Sequence, residues 1–171
     1  MKHIRLFENF SGKTIFHLHG LDSQPWPDRV KIMQENGARV IAPQVNYRTE
    51  DVYAMAQEII AKEKPDALVG HSMGALLLYY LSNEHKIDAL LFNPAFGSKN
   101  AHLLKIPKYE MDLPPFERQM AVVGLKDDVI DPQKQIEMMK HGFVYEEPDL
   151  GHRIDPDTFQ KYFALFKENF L

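Results

Sequence analysis

The chain has no cysteine among its 171 residues. That excludes disulfides, a thiolate nucleophile and any metal site built on sulfur, and it is compatible with a reducing compartment without requiring one. No charge of either sign dominates: 20 Lys and Arg against 24 Asp and Glu leave a formal net charge of −4, so nothing electrostatic invites nucleic acid. Long apolar runs are also missing. Nothing approaches the roughly 18 apolar residues of a membrane helix, and the start, MKHIRLFENF, lacks the apolar segment and small-residue cleavage site of a secretory signal. There is no internal repeat and no low-complexity tract. These absences lead to the expectation of a cytoplasmic protein with neither nucleic acid nor membrane as a partner.

What is present is ordinary for a globular chain, 44% hydrophobic and 26% charged, and the length suits one domain over 1–171 with a sizeable core. Thr14–His19, Ala38–Ala42, Ala67–Val69, Asp88–Phe92, Gln119–Val123 and Phe143–Tyr145 read as short strands, with Met1–Phe7 a weaker one. Helical spacing or caps mark 27–36, 50–63, 72–83, a segment opened by Asp131-Pro132, and another opened by Asp155-Pro156. In the last, Phe159, Tyr162, Phe163, Phe166 and Phe170 share one face. Strands alternating with helices predict a three-layer α/β/α sandwich around a mainly parallel sheet of six or seven strands. Residues 95–117, with Pro107, Pro114 and Pro115, fit neither pattern and read as an irregular excursion.

In such sheets sites collect at the carboxyl ends of the strands, and the chemistry-bearing residues fall there. Gly70-His71-Ser72-Met73-Gly74 joins a strand to a helix. A serine on so sharp a turn is exposed, and the helix behind it offers unpaired N–H groups to a developing oxyanion. The alternative is a plain βα turn with a buried serine. A serine nucleophile needs a base. Of the eight histidines, His152 lies between the last strand and the last helix. His3 and His17 fall in strand-like runs, His85 and His141 near helix ends, and His71 inside the turn itself, while His102 in the excursion stays an outside candidate. The base needs an acid to fix its tautomer. Of Asp127, Asp128 and Asp131, the last reads as a helix cap before Pro132, and Asp127 is preferred over Asp128. A second oxyanion donor is expected after the strand ending at His19-Gly20, so the backbone amides of Leu21 and Met73 form the predicted pair.

The stretches HLHGLDS, GHSMG, GLKDDVID and DLGHRID, in that order, resemble the α/β-hydrolase superfamily, and within it the small lidless bacterial esterases. The likeness runs from Thr14 to the end of the chain. It implies that fold with the cap absent or reduced to 95–117, a triad of Ser72, Asp127 and His152, the acid standing three residues after Gly124, and an oxyanion hole beginning at His19-Gly20-Leu21. The activity implied is serine hydrolysis of a small carboxylic ester or thioester through an acyl-enzyme, with no metal or organic cofactor. The same triad also suits amide, peptide or carbon–carbon bonds, and a non-catalytic binding protein on the same fold is a further alternative. Expected substrate neighbours are His19, Gly20, Asp22, Trp26 and Phe96, with core packing as the other reading of Trp26 and Phe96.

Overall fold

The structure is a computed structural model that describes residues 12–171; the strand expected at Met1–Phe7 and His3 lie outside the described residues. Six strands form one parallel sheet: β1 (Thr14–Leu18), β2 (Arg39–Ile41), β3 (Ala67–His71), β4 (Asp88–Phe92), β5 (Gln119–Gly124) and β6 (Phe143–Glu147). Their order across the sheet is β2-β1-β3-β4-β5-β6. The register places Ile15 beside Ala67, Val69 beside Leu90 and Ala121 beside Val144.

Because side chains alternate along a strand, each strand feeds two cores. Ile15, Ala67, Val69, Leu90, Phe92 and Val122 point to one face, where α1 (Pro27–Glu35) and α6 (Pro156–Phe170) cover them with Met33, Phe159 and Phe163. Phe16, Leu18, Leu68, Ala89, Leu91 and Ala121 point to the other, under α2 (Val52–Glu63), α3 (Met73–His85) and α5 (Pro132–Met139). The predicted three-layer architecture is thus the observed one. Ten of the 13 residues of α3 are buried, which explains why its sequence is apolar nearly all round.

The 95–117 segment is less irregular than expected. It holds a 3-10 turn at Ala101–Leu104 and a short helix, α4 (Lys108–Met111), and it covers the outer face of α3. Phe96 packs edge-on against Tyr79 at 4.9 Å between ring centroids, and the Phe116 N–H donates to Asn83 Oδ1. Glu110, part of α4 itself, is fully buried, with neither carboxyl oxygen hydrogen-bonded. Burial, with Glu84 close by, pushes its carboxyl up to about 7. Among the described residues, no helix is long and apolar enough to cross a membrane.

The chain leaves β1 toward β2 on one side and returns to β3 on the other. The crossovers therefore diverge at the carboxyl ends of β1 and β3 and leave a crevice there. His19-Gly20-Leu21 and Ser72 follow those two strand ends.

Candidate active site

Ser72 occupies a backbone conformation that residues with a side chain seldom adopt, φ 55° and ψ −117°. Its neighbours hold it there. The Ser72 N–H donates to Phe92 O at 2.9 Å, and its carbonyl accepts from Leu76 and Ala95. The turn closes only because Gly70 and Gly74 lack side chains. A Cβ on Gly70 would stand 2.8 Å from Ala75 Cα, and one on Gly74 would stand 2.4 Å from Leu18 O and 2.6 Å from His19 O. Such strain, held by its surroundings, is typical of functional sites.

His152 Nε2 lies 3.0 Å from Ser72 Oγ, and His152 Nδ1 lies 2.9 Å from Asp127 Oδ2. A carboxylate only accepts, so Nδ1 carries the proton and Nε2 is left bare toward the serine. The Asp127 side chain is completely buried. Its Oδ1 accepts the N–H groups of Val129 and Ile130, both at 2.9 Å, and Gln135 Nε2 reaches Oδ2 at 3.2 Å. Burial works to raise this carboxyl, but the hydrogen bonds from His152, Ile130 and Val129 outweigh it and hold the group below its ordinary value. Asp128 is exposed, and Asp131 caps α5 through the Gln133 N–H.

The two predicted oxyanion donors flank the serine. Neither the Leu21 nor the Met73 N–H donates to another protein group among the described residues. Met73 opens α3, so its N–H points out of the helix start, and a Cβ on Gly20 would lie 3.2 Å from Ser72 Cβ. The residues predicted around this point divide. Gly20, Asp22 and Trp26 line a cleft of about 870 Å³ that contains Ser72 and His152. His19 and Phe96 do not. His19 is 1% exposed and works behind the turn: its Nδ1 donates to Gly20 O, its Nε2 accepts the Val45 N–H, and its carbonyl accepts Tyr47 Oη–H. Phe96 lines a separate apolar pocket of about 370 Å³ with Leu76, Tyr80 and Met138.

Two residues not anticipated in these roles hold the histidine loop. Asn93, fully buried, donates through Nδ2 to the carbonyls of Gly151 and His152, each at 3.0 Å, and accepts the Gly124 N–H at 2.8 Å. His71 Nε2 donates to the same His152 carbonyl at 2.7 Å. Burial lowers the His71 ring to about 4, so it is neutral near pH 7. The other described histidines bond within the fold away from Ser72: His17 bonds Val69 O, His85 bonds Gln57 and His141 bonds Gln119, while His102 turns to Lys99 O. No group of three or more His, Cys, Asp or Glu among the described residues is arranged to hold a metal ion.

A parallel sheet in this order, with serine, aspartate and histidine following β3, β5 and β6, defines the α/β-hydrolase fold, and solved structures share it. MGS-MChE2, an alpha/beta hydrolase enzyme from a sediment metagenome of the lagoon of Mar Chica, Morocco, is 16% identical with a TM-score of 0.70, over 92% of this chain and 90% of that one. Est1E from Butyrivibrio proteoclasticus, solved with ferulic acid bound, is 11% identical with a TM-score of 0.70, over 94% and 91%. An esterase of Pyrococcus furiosus is 14% identical with a TM-score of 0.66, over 94% and 82%. At these identities the likeness is one of fold. The chain belongs to the family described as Uncharacterised protein family (UPF0227), whose model matches residues 14–113. No curated protein sequence matches it.

Proposed function

We propose that the protein is a serine hydrolase that cleaves a small carboxylic ester or thioester. The observation that carries this reading is the unbroken hydrogen-bonded chain from Ser72 Oγ through His152 to buried Asp127, at 3.0 and 2.9 Å, on a strained turn open to a cleft. Ser72 Oγ attacks the carbonyl carbon while His152 Nε2 takes its proton. Asp127, kept ionised, holds the ring in the required tautomer and stabilises the imidazolium. The amides of Leu21 and Met73 receive the oxyanion. As the tetrahedral intermediate collapses, His152 returns the proton to the leaving alcohol or thiol, and the acyl group stays on Ser72. Water then attacks the acyl-enzyme with His152 again as base, releasing the acid and restoring the serine.

A serine-reactive fluorophosphonate tests the reading directly. It is expected to label the folded protein but not the Ser72→Ala or His152→Ala variants, and to block turnover of aryl acetates. Equal labelling of Ser72→Ala refutes the nucleophile. Labelling accompanied by turnover of peptides alone would replace the ester with an amide substrate.

A further inference from the structure

We propose that the Ser72 cleft accepts substrates bearing a carboxylate or phosphate group, which the Arg29 guanidinium grips. This deepens the hydrolase reading and rests on it.

Arg29 stands on α1, its side chain only 10% exposed, and it lines the cleft that holds Ser72 and His152. Two aromatic faces pack about its guanidinium, the Trp26 ring centroid at 5.3 Å and the Phe159 ring centroid at 6.0 Å. Rings offer a cation attraction but no strong acceptor for its five N–H groups. The carboxylates nearby are otherwise engaged. Asp28 is 3.7 Å away, beyond a hydrogen bond, and its Oδ1 already accepts the Arg29 backbone N–H at 2.8 Å. Both Asp155 oxygens accept from Thr158, and Asp22 is clasped by Arg48 through two bonds of 2.9 and 2.6 Å. Among the described residues the Arg29 guanidinium therefore has no hydrogen-bond acceptor. A second guanidinium, that of the exposed Arg153, lines the same cleft beside His152.

Burying an arginine side chain nine-tenths of the way with no protein acceptor carries a desolvation cost, and its guanidinium nitrogens keep the residual exposure that lets a ligand reach them. An oxyanion of the substrate resolves that cost, because a carboxylate or phosphate matches the planar fork with two parallel charge-assisted bonds. Burial works to lower the guanidinium's pKa, and the charges of Asp28 and Asp155 oppose that shift without occupying its donors. A charged group on the substrate would then fix the scissile carbonyl relative to Ser72, turning binding into orientation.

Matched ester pairs test this, with the charge on either side of the scissile bond. On the acyl side the pair is mono-(4-nitrophenyl) adipate and 4-nitrophenyl hexanoate; on the alcohol side it is 3-acetoxybenzoate and its methyl ester. In at least one pair kcat/KM is expected to favour the anion, and Arg29→Gln should remove about 10- to 100-fold of that anionic rate while leaving the neutral partner nearly unchanged. Arg29→Lys, which keeps the charge and loses the fork, should fall between and serves if the Gln variant does not fold. Inorganic phosphate should inhibit neutral-ester turnover by the wild type but not by Arg29→Gln. Neutral esters preferred in both pairs, or an equal fall for anionic and neutral esters, overturns the proposal and leaves the hydrolase reading standing. Calorimetry on Ser72→Ala protein reads the site without turnover: adipic acid monoanilide should bind more tightly than hexananilide, and equal binding overturns the anion site.

Discussion

Asn93 gives the most discriminating perturbation. Its side chain ties the end of β4, where it sits at φ 42°, to the Gly124 N–H at the end of β5 and to the carbonyls of Gly151 and His152. Asn93→Ala removes three hydrogen bonds and strands a buried Gly124 donor, a loss of about 3–5 kcal/mol. For a chain of this size that corresponds to a fall in Tm of about 6–20 °C. His152 would keep only the His71 bond to its carbonyl, and a displacement near 1 Å costs on the order of 100-fold in rate. The assay pairs thermal unfolding with the rate at which a fluorophosphonate labels Ser72, measured well below the variant's Tm. Asn93→Asp is the companion variant: it still accepts from Gly124 but turns a carboxylate on two carbonyls, so labelling should fall further than Tm. A destabilised Asn93→Ala that labels at the wild-type rate would refute the positioning role. An unchanged Tm would refute the hydrogen-bond accounting itself.

Asp127→Asn should cost far more turnover than Asp128→Asn, because only Asp127 reaches His152; the reverse order, read from kcat, would reassign the acid. Gly74→Ala should abolish fluorophosphonate labelling and destabilise the fold, since its Cβ would meet backbone oxygens of β1 and His19 that cannot turn aside; a labelled, stable variant would show that the close approach is relaxed. Glu110→Gln probes pH. A carboxyl raised to about 7 from 4.5 contributes stability that is full below 4.5 and lost as pH rises through 7, so the variant should gain on the wild type at pH 8, by at most about 3 kcal/mol, and not at pH 4. Chemical denaturation at the two pH values reads the difference, and an equal effect at both would rule out ionisation as the cause.

Much of this arrangement was legible in the sequence because it rests on local signals. Glycines two residues either side of Ser72 announce a turn that larger residues cannot make, and short apolar runs between amphipathic ones announce a parallel sheet. The chain order of Ser72, Asp127 and His152 follows from where each falls relative to a strand. What lay hidden depends on contacts across the fold. Asn93 reads as the stop before Pro94, and nothing near it reveals that it reaches residues 58 and 59 positions away. His71 appears boxed in by its turn, yet its ring finds the His152 carbonyl from the far side. His19 and Phe96 share sequence neighbourhoods with the Gly20-Leu21 turn and with β4, but their side chains leave the cleft for the interior. The helical pieces within 95–117 are too short for periodicity to show.

The site draws one element from the end of each of five strands, and its closing contact, His152 to Ser72, joins residues 80 apart in sequence. Contacts of such separation form late, because loop closure must be paid before they reward the chain. A chain still emerging during synthesis, or one collapsed without β5 and β6 in place, therefore carries its serine without a base. On the proposed reading, Ser72 is armed as a nucleophile only by completion of the sheet, so labelling of Ser72 would measure finished folding as much as catalysis.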